Sequence, residues 1–285
     1  MNKALRMNRL INPVSKNSIF FPIDHGTTLG PLMGLTDIPN LVKVVAESNF
    51  QAVVAHKGTI NYALQNIENT RNIDYILHLS ASTNFVYNGE FKQIVSTIEH
   101  GLRIGVTGIS VHVNLGVAEE PTMLKDLGLV CDEAYKWGLP VLAMMNVFDE
   151  DDSLNPNKNA IAHAVRVAGE LGSDIVKVKY AGNQEKMKEA VDAFDIPVLI
   201  SGGEKSDNTL NIFNQIYESI QVGARGISIG RNIFEDKNPR AMSLALSSLV
   251  HDFVKPNDAL DIYLEICEQL DGSEIRRINY SVTST

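Results

Sequence analysis

Residues 174–203, DIVKVKYAGNQEKMKEAVDAFDIPVLISGG, read as strand, helix and strand, and this unit decides the fold. The runs 174–178 and 197–200 are short and apolar, and the charged stretch between them is long enough for a crossover helix. A crossover of that length makes the two strands parallel. Outward from this unit the rhythm repeats. Similar runs stand at 18–23, 52–56, 75–79, 108–113, 140–145 and 226–229, making eight in all. Helix-start signals fall between them: Asp37 precedes Pro39 and Leu41, and Pro121 precedes Met123 and Leu127. Small-residue turns at Trp137-Gly138, Leu171-Gly172 and Val222-Gly223 end helices ahead of the next strand. Eight such units in an α/β chain of 285 residues predict one (β/α)8 barrel domain, with the barrel at about 18–252. The remaining 253–285 reads as an amphipathic helix, 259–270, and a polar tail that caps the barrel or serves in assembly. An open doubly wound sheet is the weaker alternative, because no dinucleotide fingerprint occurs.

Composition narrows the function. Hydrophobic residues at 44% and charged residues at 21% suffice for a sizeable core. Lys and Arg total 25 against 34 Asp and Glu, for a net charge of -9 with no block of like charge. That balance argues against nucleic-acid and membrane partners. The N-terminus has no apolar signal core and no run of about 18 apolar residues occurs, so a soluble, cytoplasmic protein is expected. Cys131 and Cys267 belong to no reactive motif and are expected as buried helical thiols, and Trp137, Met144 and Met145 as core. The acids around 149–153 read as a solvated loop.

Active sites of such barrels lie at the C-terminal ends of the strands, where this chain gathers its polar residues. Strand one runs into Asp24 and His25, strand two into His56 and Lys57, strand three through His78 to Ser80. On strand four Ser110, His112 and Asn114 alternate with apolar residues, so period two turns the polar set inward. Lys57, His112 and Asn114 are therefore expected to line the substrate pocket. Lys177 and Lys179 share parity on strand six. If they face inward, desolvation and mutual repulsion lower their pKa values and free a neutral amine to attack a ketone. Parity alone leaves the choice between them open. Strands seven and eight end in Ser201-Gly202-Gly203 and Gly230-Arg231-Asn232, where barrels often bind phosphate on backbone N–H groups, with Arg231 adding a charged contact. A small phosphorylated carbonyl compound is the expected substrate. His25, His56, His78 and His112 could be imagined as a zinc cluster, but no short ligand spacing occurs and no metal is expected.

Taken together, ProIleAspHisGly (22–26), GlyProLeuMetGlyLeu (30–35), HisLysGly (56–58), SerValHisValAsn (110–114), AlaMetMet (143–145), AspIleValLys (174–177), SerGlyGly (201–203) and GlyArgAsnIlePhe (230–234) resemble a known family over nearly the whole chain. The family is that of the archaeal-type class I fructose-bisphosphate aldolases and 2-amino-3,7-dideoxy-threo-hept-6-ulosonate synthases, DeoC/LacD-like enzymes, with the synthase branch the closer. The resemblance implies that Lys177 is the Schiff-base lysine, Asp24 the acid/base carboxylate, and Ser201, Gly202, Gly203, Gly230 and Arg231 the phosphate cradle. It further implies that no cofactor is needed and that the chain forms a homo-oligomer, a decamer among the options, through its terminal segments. The chain departs from the family at Asn146, where the resemblance implies a proton-transferring tyrosine. Proton transfer is then left to Asp24, His25, Lys179 or water. Two other readings stand beside the aldolase: an acyl transferase acting on a phosphorylated diketone through the same imine, and a non-catalytic sugar-phosphate sensor.

Overall fold

The computed structural model describes residues 2–67, 73–85, 90–148, 159–206 and 208–282, from residue 270 onward by backbone alone. The acids at 149–153 lie outside the described residues. Eight strands form a closed parallel barrel: β1 (Ser18–Pro22), β2 (Ala52–Ala55), β3 (Asp74–His78), β4 (Gly108–Leu115), β5 (Val141–Val147), β6 (Ile175–Val178), β7 (Val198–Ser201) and β8 (Gly226–Ser228). Each pairs with its neighbours in sequence, and β8 closes on β1. The eight-unit reading of the sequence holds.

Alternation along the strands separates two cores. One side of each strand joins a large buried layer with the helices, to which β4 contributes Ile109, Val111 and Val113. The other side fills the barrel with Phe20, Ala52, Val54, Ile76, Leu142, Met144, Ile175 and Leu199. Two residues beyond Val54, Ile76, Met144, Ile175 and Leu199 the same inward parity is held by His56, His78, Asn146, Lys177 and Ser201. Period two thus turns an apolar floor into a polar chamber at the C-terminal ends. Register fixes the level: Met144 pairs with both His112 and Lys177, and Asn114 with Asn146.

The sequence reading leaves the closure of the barrel's other end unassigned. A helix, Lys3–Leu10, lies there and inserts Leu10, with Met7 beside it, against the inner cluster. Lys3 Nζ holds Asp174 at 3.0 and 3.1 Å, Arg6 Nη1 donates to Val106 O at 2.8 Å, and Ser18 Oγ donates to Leu10 O at 2.6 Å. The C-terminal segment does not cap the barrel. It is one helix, Pro256–Val282, longer than the expected 259–270, and it packs Ala259, Tyr263 and Cys267 into the helix layer.

Local signals act as expected. Asp37 caps Ile38–Glu47 by accepting from Asn40 N, and Gly138 ends Glu120–Trp137 at φ 63°, where its N–H meets the Ala134 and Tyr135 carbonyls. Met144, Met145 and both cysteines are buried, but Trp137 is not core: it is 44% exposed and donates from Nε1 to Glu133. A helix-terminal aromatic can lie along the surface when its polar edge finds a neighbouring carboxylate. Among the described residues no helix is long and apolar enough to cross a membrane.

Candidate active site

A cavity of about 400 Å³ opens at the C-terminal ends of the strands. Its wall includes Asp24, His25, Lys92, His112, Asn146, Lys177, Lys179, Ser201, Gly202, Gly203, Ser228, Gly230 and Arg231. The structure therefore brings the expected catalytic and phosphate-binding residues around one space. Asn114 lies behind His112, buried. Lys57 is outside: β2 ends at Ala55, so Lys57 is the first residue of helix Lys57–Asn66, beyond the reach of strand parity. Its Nζ donates to Val95 O at 2.9 Å in an adjoining depression that shares Asp24.

Lys177 stands on β6 at the base of the cavity. Burial pushes its pKa down, the Asp24 carboxylate opposes that, and the Arg231 guanidinium adds to it. The balance raises the neutral fraction of the amine, as attack on a carbonyl requires. The second cation acting on Lys177 is Arg231 rather than Lys179, which is exposed. The mutual repulsion expected between the two lysines is therefore supplied across the barrel instead.

Asp24 follows β1 and is ringed by donors. Its Oδ2 is 3.5 Å from His78 Nε2 and its Oδ1 3.8 Å from His25 Nδ1. Burial alone would raise its pKa, but His78, His25, Lys177 and His56 outweigh burial and hold the carboxyl well below the usual range. It is ionised at neutral pH. The histidines are the reverse case. Burial, partly offset by Asp24, lowers His25 and His78 to about 4 each, and burial with Lys92 lowers His112 to about 3. They are neutral donors and acceptors at neutral pH.

Hydrogen bonds orient the rings. His78 Nδ1 meets Ser110 Oγ at 2.7 Å, leaving Nε2 toward Asp24. His56 spans His78 O at 3.2 Å and Thr27 Oγ1 at 2.9 Å. His112 Nε2 lies 2.9 Å from both Asn114 Oδ1 and Asn146 Nδ2, so two amides share one ring nitrogen. Among the described residues no three His, Cys, Asp or Glu side chains group as a metal site.

The two glycine turns are tied together by Asn232, whose Nδ2 donates to Gly202 O at 3.0 Å and Glu204 O at 3.2 Å while Oδ1 accepts from Ser206 N at 2.9 Å. Glycine is demanded by close approach: a Cβ on Gly230 would lie 2.3 Å from Pro22 O, and one on Gly202 would lie 2.9 Å from Ile229 Cγ2. Three lining residues, Ser228 (Oγ), Arg231 (Nε) and His25 (Nδ1), each carry a buried polar atom without a hydrogen-bond partner among the described residues. Unsatisfied buried groups are rare and costly, and convergent ones around a cavity are what a bound polar ligand would satisfy. Neither Ser228 nor Lys92 was flagged by the sequence reading. Ser228 ends β8, inside the apolar run 226–229. Lys92 precedes the strand Gln93–Ile94, which pairs with Ser80–Ala81 in a two-residue ladder too short to show a period.

The DeoC/LacD family aldolase profile matches residues 18–236. The 2-amino-3,7-dideoxy-D-threo-hept-6-ulosonate synthase of Halobacterium salinarum is 35% identical over 90% of this chain and 95% of that protein. The 2-amino-4,5-dihydroxy-6-oxo-7-(phosphonooxy)heptanoate synthase of Streptomyces griseus is 34% identical over 88% of this chain and 90% of that protein. Among solved structures, an archaeal fructose-1,6-bisphosphate aldolase with its catalytic lysine covalently bound to the carbinolamine intermediate superposes with a TM-score of 0.76 at 26% identity. That alignment covers 88% of this chain and 100% of that one.

Proposed function

The chain belongs to the DeoC/LacD aldolase family of class I, Schiff-base enzymes, and from that premise we propose that Lys177 is its imine-forming residue, acting on a phosphorylated ketose or on dihydroxyacetone phosphate. The observation that carries the reading is the placement of Lys177, with its pKa lowered, in one cavity with an ionised Asp24 and the two glycine turns.

The substrate phosphate rests on the N–H groups of Gly202, Gly203 and Gly230 and on Arg231, with Ser201 beside them. The Lys177 amine adds to the ketone carbon, and loss of water from the carbinolamine gives an iminium. In the cleaving direction Asp24 takes the proton from the hydroxyl two carbons away. The C–C bond between breaks, its electron pair enters the iminium as an enamine, and the aldehyde leaves. Protonation of the enamine and return of one water release the ketone and restore the lysine. Synthesis runs these steps backward. The imine supplies the electron sink, so the scheme calls on no cofactor. The two synthases similar to this chain favour the synthetic direction, with a small aldehyde such as aspartate semialdehyde as partner.

Asn146 shapes the proton route. Its amide cannot exchange a proton near neutral pH, and no tyrosine is among the lining residues. Asp24, with neutral His25 and His78 beside it, is the group that remains. The same feature favours a second reading, thiolysis of a phosphorylated diketone by coenzyme A through the same imine. Product formation that depends on the thiol would establish it. The test of the primary reading is Lys177→Met. Its turnover of dihydroxyacetone phosphate with a small aldehyde should vanish while its circular dichroism matches the wild type, and appreciable turnover would defeat the assignment.

A further inference from the structure

The cavity holds a cation, Lys92, that the phosphate site does not use. Lys92, Lys177, Lys179 and Arg231 line the cavity, against Asp24 and Glu204. Asp24 is already shared by His78, His25 and Lys177, and Glu204 is 88% exposed at 3.6 Å from Arg231. Lys92 is held by two neutral hydroxyls, Ser82 Oγ at 2.5 Å and Thr28 Oγ1 at 3.5 Å. Among the described residues it has no carboxylate within ion-pair distance. Burial pushes its pKa down, with only the longer-range pull of Asp24 against that. Hydroxyls orient an ammonium without neutralising it, so a half-buried cation in this arrangement is built to meet an anion from outside.

Position says which anion. Lys92 belongs to the short hairpin that continues from β3, and β3 is third in the ring while β7, bearing the Gly202-Gly203 turn, is seventh of eight, diametrically opposite. Lys177 on β6 and Asp24 after β1 lie between the two walls. On the reading above the donor phosphate lies on the β7 wall, which leaves Lys92 to the opposite side of the cavity.

We propose that Lys92 is the specificity-determining residue for the second substrate, and that it holds the carboxylate or phosphate of a small anionic acceptor aldehyde. The proposal rests on the Lys177 reading above and assigns a residue to the partner aldehyde named there.

The test compares kcat/KM for glyceraldehyde 3-phosphate, succinic semialdehyde and neutral glyceraldehyde, each with dihydroxyacetone phosphate, in wild type, Lys92→Met and Lys92→Arg. In wild type one anionic aldehyde exceeds glyceraldehyde, and which one distinguishes phosphate from carboxylate. Lys92→Met should lower that ratio roughly 10- to 100-fold, mainly through KM, as loss of one charged hydrogen bond does. Lys92→Arg should restore most of it. Loss in equal proportion for neutral and anionic aldehydes, or an unchanged ratio, overturns the proposal. Borohydride trapping of dihydroxyacetone phosphate on the same proteins separates the two readings. An adduct in both wild type and Lys92→Met with an unchanged ratio removes the Lys92 proposal alone, and no adduct in wild type removes both.

Discussion

His78 faces Asp24 across 3.5 Å, and on its far side the ring is pinned to Ser110 Oγ at 2.7 Å. With Nδ1 taken by Ser110, Nε2 is the nitrogen turned toward the carboxylate, and Asp24 is held ionised.

Asp24→Asn should therefore lower kcat by about 10²- to 10⁴-fold, the usual range for a positioned acid/base group. Imine formation should survive. Because Asp24 opposes the burial that lowers the Lys177 pKa, the variant's lysine should be less basic still. The rate of borohydride trapping against pH should then move to lower pH than in wild type. Turnover within tenfold of wild type would show that the proton travels elsewhere.

Acid should destabilise the fold before the carboxylate range is reached. His25 and His78 sit at about 4 and His112 at about 3, against an ordinary 6.5. Between those values the unfolded chain binds more protons than the folded one, so stability rises with pH there and is lost as pH falls from 6.5 toward 4. The lowered Asp24 pKa adds a further loss only below 3.8. Urea midpoints at pH 7.5 and pH 5 should differ, the lower pH giving the lower midpoint. Equal midpoints would contradict the neutral-histidine picture.

The two sides of the phosphate site should separate kinetically. Gly202→Ala pushes a Cβ to 2.9 Å from Ile229 Cγ2 and 3.0 Å from Asn232 Nδ2, so the turn must shift. It should raise KM for a phosphorylated ketose about tenfold, the worth of one hydrogen bond, and change KM for the unphosphorylated analogue much less. Arg231→Met should do this and also slow imine formation near pH 7, because the guanidinium helps lower the Lys177 pKa. Equal effects on both substrates would place the phosphate elsewhere.

Closing the barrel floor is a stability matter. Leu10 is 1% exposed against the inner cluster, so Leu10→Ala should cost about 2–5 kcal/mol in denaturant unfolding while leaving KM near its wild-type value. A change below about 1 kcal/mol would mean the helix Lys3–Leu10 contributes little to the core.

Strand order and inward faces were legible because they depend on local periods. Ser110, His112 and Asn114 on β4 could be assigned to the barrel interior from alternation alone, whereas for Lys177 and Lys179 parity says only that they point the same way, and Lys179, past the end of β6, is exposed. The neighbours of these residues in space could not be assigned so. Lys57 was assigned by its place just after the second apolar run, but it lies two residues past the end of β2, in a helix where the period is different. Lys92 escaped notice because its partners Ser82 and Thr28 arrive from two other points in the chain. The plug of Lys3–Leu10 lacked a signal for the same reason: an eight-residue helix does not announce what it packs against. Trp137 shows the limit for single residues, since composition cannot tell a buried aromatic from one paired with Glu133 at a helix end.

The most direct measurement is mass spectrometry of the intact protein after borohydride reduction with dihydroxyacetone phosphate, followed by mapping of the modified peptide. The account predicts one adduct, on Lys177, absent from Lys177→Met. An adduct on Lys179 or Lys92 instead, or none with any phosphorylated ketose, would contradict it.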